Sequence, residues 1–189
     1  ILYQPCQDRL WGYMGKIIAI VNQKGGVGKT TSCINLAASM ALLEQKTLLI
    51  DLDPQANATT GSLFQKEPGA NIAQVLLDEI PIQESLLVTP AGYSLIPGTT
   101  DLTQTEVQLL QKEQREYTLK KKLAVLSNVY DYILLDCPPS LNILTVNALV
   151  AANSVIIPVQ CEYFALEGLS NLINTLQSLR ATVNPHLQI

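Results

Sequence analysis

The sequence predicts an α/β domain of three layers, in which a mostly parallel, twisted β-sheet is flanked by helices on both faces. Short apolar runs alternate with segments of helical periodicity, and these runs lie at 16–21, 47–53, 132–135 and 154–159. Of the 189 residues, 48% are hydrophobic and 15% are charged, with a mean hydropathy of +0.21, which suits a sheet covered on both faces. The length predicts one domain with a well-buried core.

Each element is predicted from its local pattern. The run 16–21 ends in a Gly-rich turn, and apolar residues on nearly every face of 30–44 then indicate a buried helix. The run 47–53 predicts a second strand, and loops dominate from 54 to 70. The remaining predictions are helices at 70–79 and 119–126, strand-like pieces at 86–90 and 93–98, strands at 132–135 and 154–159 with a helix between them, and a helix from 166 onward.

Charge and cysteine usage exclude several classes of protein. A net charge of -4 and a pI near 4.9 argue against a globally basic nucleic-acid-binding protein. The cysteines show no CxxC pairing and no zinc-ligand spacing, so we interpret them as reduced thiols of a cytoplasmic protein; they are Cys6, Cys33, Cys137 and Cys161. The most apolar window, 141–159, contains three asparagines and a proline, so no membrane span is expected.

Two features of the ends bear on domain boundaries. The stretch MGKIIAIVN, which begins at Met14, looks like a natural start. We therefore expect residues 1–13 to be an upstream or appended segment and 14–189 to form the domain. The final residues HLQI look like the beginning of another apolar strand, so we expect a domain that lacks its C-terminal part.

The stretch GVGKTT follows a predicted strand and opens a predicted helix, which is the context that a phosphate-binding loop requires. Glycines let successive backbone N–H groups converge on an anion, and the helix N-terminus adds partial positive charge. Lys29 can then reach the β- and γ-phosphates, and the Thr30 hydroxyl can complete a magnesium shell. The loop therefore predicts a site for a nucleoside triphosphate with Mg²⁺.

A second lysine makes this loop unusual. The strict pattern GxxxxGK[ST] fails, because Gln23 stands where its first glycine would fall, and the loop offers Lys24 instead. An ammonium group so close to Lys29 would be repelled in an empty loop, which suggests that a dense negative charge offsets the repulsion. If Lys29 lies inside the loop, Lys24 points outward to whatever covers the site. Our hypothesis is that a second subunit covers it.

The motifs KGGVGKTT, DLDPQANATT and DCPPS together resemble those of the ParA/Soj partition ATPases, whose Walker A motif is deviant. The resemblance runs from about Lys16 to Asn184. It implies a P-loop NTPase-like fold, ATP and Mg²⁺ as ligands, and a homodimer that forms with ATP. In that dimer Lys24 would contact the partner's phosphates, whereas Lys29 would contact the phosphates of its own chain.

The resemblance also assigns roles to the aspartates at the strand ends. Asp53 matches the acid that positions and polarises the attacking water, and Asp136 matches the Walker B acid, which acts on Mg²⁺ usually through water. Asp51 either assists the metal shell or holds the first of two nucleotide-sensing switches, which are 53–60 and 136–140. The predicted site is thus Lys24, Lys29 and Asp53 for catalysis, Lys24, Gly25, Gly26, Val27, Gly28, Lys29, Thr30 and Thr31 for the nucleotide, and Thr30, Asp51 and Asp136 for the metal.

The function implied by the resemblance is a slow, Mg²⁺-dependent ATPase switch for chromosome or plasmid partitioning. The ATP-bound dimer would hold nonspecific DNA, and a centromere-bound ParB-type partner would stimulate hydrolysis and release. Such a protein is cytoplasmic and associates with the nucleoid when ATP is bound. The alternative is a MinD-like membrane-associated positioning ATPase, although the stretch DPQANAT favours the partition proteins. A third possibility is a nucleotide switch without measurable hydrolysis.

Overall fold

The computed structural model describes residues 15–63, 69–161 and 165–189, so the predicted upstream segment 1–13 lies outside the described residues. Its strands are β1 (Lys16–Ile20), β2 (Thr47–Asp51), β3 (Leu87–Val88), β4 (Ser94–Ile96), β5 (Tyr132–Asp136) and β6 (Ser154–Ile156). Its α-helices are α1 (Lys29–Leu42), α2 (Asn57–Leu63), α3 (Ile72–Leu76), α4 (Leu102–Leu109), α5 (Thr118–Leu123), α6 (Ile143–Ala151) and α7 (Ala165–Thr182). Single 3₁₀ turns lie at Ile82–Ser85, Arg115–Tyr117 and Ala124–Leu126.

The strands form one sheet in the order β3-β4-β2-β5-β1-β6. All neighbours pair in parallel except β3 and β4, which are antiparallel at one edge. In the central register Asp136 lies opposite Asp51 on one side and Ile20 on the other. The carboxyl ends of β2, β5 and β1 therefore meet at one edge, which is where a doubly wound sheet places its ligands.

The sheet separates two apolar cores, which confirms the three predicted layers. On one face Ile18, Ile20 and Leu49 pack with the inner sides of α1 and α2. On the other face the alternate residues, including Ala19 and Leu48, pack with α3 to α7. Successive side chains of a strand point to opposite faces, so a strand covered on both sides becomes a continuous apolar run, as the sequence shows.

The loops predicted from 54 to 70 are wrong at α2, which is helical over Asn57–Leu63. The segment NATTGSL contains a glycine and has no apolar stripe, so its local pattern does not favour a helix. Tertiary hydrogen bonds hold it instead. The backbone N–H and hydroxyl of Thr59 donate to Asp51, and the Ser62 hydroxyl accepts a bond of 2.7 Å from Tyr93.

Helix α4 is also absent from the sequence predictions. Its inner face consists of Leu102, Thr105 and Leu109, and two leucines seven positions apart make a weak periodic signal. Helix α3 is shorter than the predicted 70–79 at both ends. Asn71 caps its start with a capping box to Gln74, and Asp78, just past its end, has a φ of 67°, which a helix does not allow. The other predicted elements are confirmed to within a few residues.

The sheet continues beyond β6 at the end of the chain. Gln188 forms an isolated parallel bridge with Ser154, and Leu187 beside it is fully buried. The buried amide of Asn184 donates to the carbonyls of Leu149 and Ala152, both at 2.8 Å, and so satisfies the C-terminus of α6. Of the apolar strand expected at HLQI, the described residues contain only this isolated bridge.

No helix in the described part of the chain has both the length and the apolar character needed to cross a bilayer.

Candidate functional site

The loop between β1 and α1 has the backbone of an anion cradle. Gly26 and Gly28 have φ angles of 74° and 92°, in the left-handed region that favours glycine. A Cβ added at Gly25, Gly26 or Gly28 would meet nothing within 4 Å, so the loop borders open space. Gly28 is the N-cap of α1, and its carbonyl accepts from the N–H of Ser32. An anion can therefore approach the backbone closely at the start of a 14-residue helix.

The segment after β6 holds this loop in shape. The side-chain amide of Asn22 donates to the Pro158 carbonyl at 2.8 Å, and the amide of Gln160 donates to the Gly26 carbonyl at 3.1 Å. The Asn22 side-chain oxygen also accepts from the N–H of Lys24 at 3.0 Å. The cradle is thus held by a side chain of its own first residues, Asn22, and by one from the distant segment after β6, Gln160. Sequence analysis did not identify Asn22 or Gln160, since neither belongs to a spaced motif.

The two lysines of the loop differ sharply in burial. Lys29 is only 6% exposed, and its ammonium donates to the Lys24 carbonyl at 3.3 Å, which places it within the loop. The side chain of Lys24 is exposed. The inner and outer positions expected from the sequence agree with this arrangement, but a contact between Lys24 and a second copy stays a prediction.

Asp136 is fully buried, and only one of its two carboxylate oxygens has a hydrogen-bond partner. Its Oδ1 accepts a hydrogen bond from the Cys33 thiol at 3.4 Å, whereas its buried Oδ2 has no hydrogen-bond partner. Burial, followed by the charge of Asp51, raises the pKa of Asp136 to about 7, and the neighbouring Thr30 hydroxyl and Cys33 thiol oppose the rise. A buried carboxylate oxygen without a protein partner is rare in native proteins, and a cation or an ordered water is a common partner of such a group.

These residues fit a magnesium ion that keeps part of its water shell. Thr30 and Asp136 would hold the ion, since hard oxygen ligands suit Mg²⁺. Among the residues that the structure describes, no group of three or more His, Cys, Asp or Glu side chains could hold a metal by itself.

Asp51 is engaged with the loop that follows β2. Its Oδ2 accepts from the N–H and the hydroxyl of Thr59 at 2.8 and 2.7 Å, and its Oδ1 accepts from the N–H of Asp53 at 3.1 Å. Burial is the main reason that its pKa is raised to about 6, and these hydrogen bonds oppose the rise. Of the two roles left open by the sequence, the contacts favour holding the first switch segment.

Asp53 lies on a tight turn between β2 and α2. Its Oδ1 accepts from the N–H of Gln55 at 2.9 Å, and its carbonyl accepts from Ala56, whose φ is 50°. It is 8% exposed and belongs to the same strand end as Asp51. The turn thus brings a third carboxylate to the edge of the sheet where the phosphate loop begins.

Gly98 is a further residue of this region that the sequence analysis missed. Its N–H donates to the Thr59 hydroxyl at 2.9 Å, so the loop after β4 joins the Asp51 network. A Cβ at this position would lie 2.8 Å from the Asp51 carbonyl oxygen. The only sequence signal was the Pro-Gly pair after a strand-like piece, which indicates a turn but not its neighbour.

Known proteins resemble the chain over nearly all of its length. A family model described as an AAA domain matches residues 15–189. The chromosome partitioning protein ParA of Myxococcus xanthus is 51% identical over 184 residues, which are 96% of this chain and 65% of that protein. The sporulation initiation inhibitor protein Soj of Bacillus subtilis is 47% identical over 181 residues, which are 93% of this chain and 70% of that protein.

Solved structures agree with these relatives. The cobyrinic acid a,c-diamide synthase of Mycobacterium smegmatis, with bound ATP analogue and magnesium, superposes with a TM-score of 0.88 at 37% identity. The match covers 92% of this chain and 72% of that one. The chain thus spans about two thirds of the length of the curated relatives, 65% for the Myxococcus protein and 70% for the Bacillus protein. By its loop, its sheet and these relatives, the chain belongs to the ParA/Soj-type family of P-loop ATPases.

Proposed function

We propose that the protein binds and slowly hydrolyses ATP with Mg²⁺, and that its ATP-bound homodimer acts as a switch in chromosome or plasmid partitioning. The observation that carries this proposal is the unpartnered, buried Oδ2 of Asp136 at the strand end beside the phosphate loop. A fold that holds such an oxygen without a protein partner gains from a cation at that place.

The residues of the chain divide the work of binding. The backbone of the cradle and the buried ammonium of Lys29 bind the phosphates, and Thr30 and Asp136 hold Mg²⁺, which neutralises phosphate charge when bound. Asp53, on the turn after β2, orients the attacking water. Phosphoryl transfer to water needs alignment and charge neutralisation more than covalent help, so this small set of residues is sufficient.

Lys24 supplies the argument for a dimer. An exposed lysine at the outer side of an anion cradle does not bind the phosphates inside it as Lys29 does, but it can reach those of a neighbouring copy. A cation added from a partner at the moment of transfer accelerates hydrolysis in other phosphoryl-transfer proteins. Occupancy by ATP and pairing of two copies would then be coupled, which is the property of a switch.

The partitioning role is supported by the relatives. The Myxococcus relative is named a chromosome partitioning protein, ParA, and the Bacillus relative is named Soj. They are 51% and 47% identical to this chain, whereas the diamide synthase is 37% identical. Nonspecific DNA binding, a ParB-type partner and a cytoplasmic, nucleoid-associated location are part of this proposal. These points rest on family membership alone, because the net charge of -4 does not by itself indicate a DNA-binding protein.

Light scattering of the full chain with ADP, ATP and a non-hydrolysable analogue tests the proposal. Wild type should dimerise with ATP or the analogue and stay monomeric with ADP, and Lys24→Ala should stay monomeric throughout. Lys16→Ala is the matched control, because Lys16 is an exposed lysine at the opposite end of β1. A Lys24→Ala protein that dimerises as wild type does would contradict the role of Lys24, and dimers without nucleotide would contradict the switch.

The same samples test whether the dimer binds DNA or a lipid surface. The ATP-bound dimer should retain nonspecific DNA at low salt, and retention should fall steeply as salt rises, because phosphate contacts release counterions. DNA retention without nucleotide would argue against the partition role, and retention on anionic lipid vesicles in place of DNA would favour the MinD-like alternative.

A further inference from the structure

Cys33 contacts the candidate magnesium residue from the neighbouring helix. It lies on the second turn of α1, four residues after Lys29, and is fully buried. Its thiol donates to Oδ1 of Asp136 at 3.4 Å, across 103 residues of sequence. The other carboxylate oxygen has no partner. One oxygen is therefore held and the other is available.

The geometry of α1 makes this contact part of the loop. Thr30 and Cys33 are three residues apart, so their side chains lie on the same face of the helix, one turn from each other. The helix begins in the phosphate cradle at Gly28 and presents both side chains toward the end of β5. Cys33 therefore connects the helix that begins in the cradle to the carboxylate at the end of β5.

A thiol has a particular effect on a carboxylate. The terminal torsion of an aspartate is broad and has no strong preference of its own, so a fixed donor decides which oxygen stays open. A thiol is a weak donor, and it orients the carboxylate without neutralising much of its charge. Partners of this kind behind a metal-binding group set its orientation and tune the affinity of the metal.

We propose that Cys33 is a positioning residue that holds Asp136 so that Oδ2 remains available to Mg²⁺ or to its water shell. This inference rests on the proposed function, because it takes magnesium to be the ion at Asp136. A purely structural role is the competing account, since Cys33 also packs with Ile18 and Ala37 in the core beneath α1. Loss of packing lowers stability, whereas loss of positioning changes the magnesium requirement.

The experiment measures the affinity of the full chain for a fluorescent ATP analogue, in EDTA and over a magnesium titration. Cys33→Ala removes the donor, and Cys33→Ser keeps one. For Cys33→Ala we expect unchanged affinity in EDTA and a magnesium requirement raised about tenfold. Cys33→Ser should remain near wild type. Ile34→Val is the matched control, because it trims a half-buried residue of the same helix that packs in the same core.

The outcomes separate the two accounts. An unchanged magnesium requirement in Cys33→Ala, or an equal loss of affinity with and without magnesium, would overturn the positioning role. If Cys33→Ala does not fold, Cys33→Val fills the space without a polar hydrogen and takes its place. Thermal melts of every ligand-free variant identify the folded ones. Wild-type binding that ignores magnesium altogether would count against the proposed function itself, before any variant is compared.

Discussion

Asp136→Asn should stabilise the ligand-free protein while removing its magnesium-binding group. The pKa of Asp136 is raised from its ordinary 3.8 to about 7, chiefly by burial. In the folded state the carboxyl therefore binds a proton that the unfolded state has already released between about pH 4 and pH 7, so the unfolding free energy falls as pH rises through that window. At about 1.4 kcal/mol for each pH unit, the full penalty above pH 7 is about 4 kcal/mol.

An asparagine carries no charge, so this penalty disappears in the variant. The new side-chain N–H₂ has no acceptor at the position of Oδ2, which costs about 1–3 kcal/mol at every pH. At about pH 5.5 the two effects nearly cancel, and in stronger acid the variant is the less stable protein. The stability difference between the variant and wild type should increase by about 2 kcal/mol from about pH 5.5 to about pH 8.

Urea denaturation followed by circular dichroism, without nucleotide or magnesium, measures this difference. The comparison between the two proteins cancels the titrations of groups that do not interact with Asp136. A stability difference that is the same at both pH values would refute the reasoning, since it would mean that Asp136 is already ionised at no cost at the lower pH. A variant that loses stability as pH rises relative to wild type would refute it more strongly.

Two smaller predictions concern the residues that hold the site. Gly98→Ala should lower the unfolding free energy by about 1–3 kcal/mol, because its Cβ would lie 2.8 Å from the Asp51 carbonyl oxygen; a thermal melt as high as that of wild type would contradict the packing. Gln160→Ala should weaken binding of an ATP analogue by about twofold to tenfold, because the Gly26 carbonyl loses its donor. The exposed Gln83→Ala is its control, and equal affinities in titration calorimetry would exclude a role for Gln160 in the loop.

The sequence predicted those parts of the fold whose signal is local. Buried parallel strands form continuous apolar runs, so β1, β2 and β5 were placed to within one or two residues. Helix α2 could not be found in this way, because its stability comes from Thr59 and Ser62 bonding to groups on other elements. Helix α4 buries too few apolar residues to show a period.

The same distinction, between local signals and contacts of distant segments, explains which site residues could be predicted from the sequence. Lys29 and the glycines form one contiguous motif, and Asp136 ends a strand immediately before a proline pair, so local spacing identifies them. The contacts that shape the site join distant segments: Cys33 to Asp136 across 103 residues and Gln160 to Gly26 across 134. Cysteine and glutamine in such contacts have no fixed spacing from the motif, so only the folded chain reveals them.

The two buried carboxylates at the ends of β2 and β5 store free energy that a bound cation can release. Burial raises the pKa of both Asp51 and Asp136, which lie opposite each other in neighbouring strands, so their ionised forms destabilise the ligand-free fold at neutral pH. A cation beside Asp136 relieves that penalty, and it also weakens the repulsion that Asp136 exerts on Asp51. Asp51 accepts hydrogen bonds from the backbone of Asp53 and Thr59. The ionisation of Asp136 at the end of β5 therefore affects how firmly Asp51 holds the loop that follows β2. Ligand occupancy and loop order are thereby linked through two adjacent carboxylates.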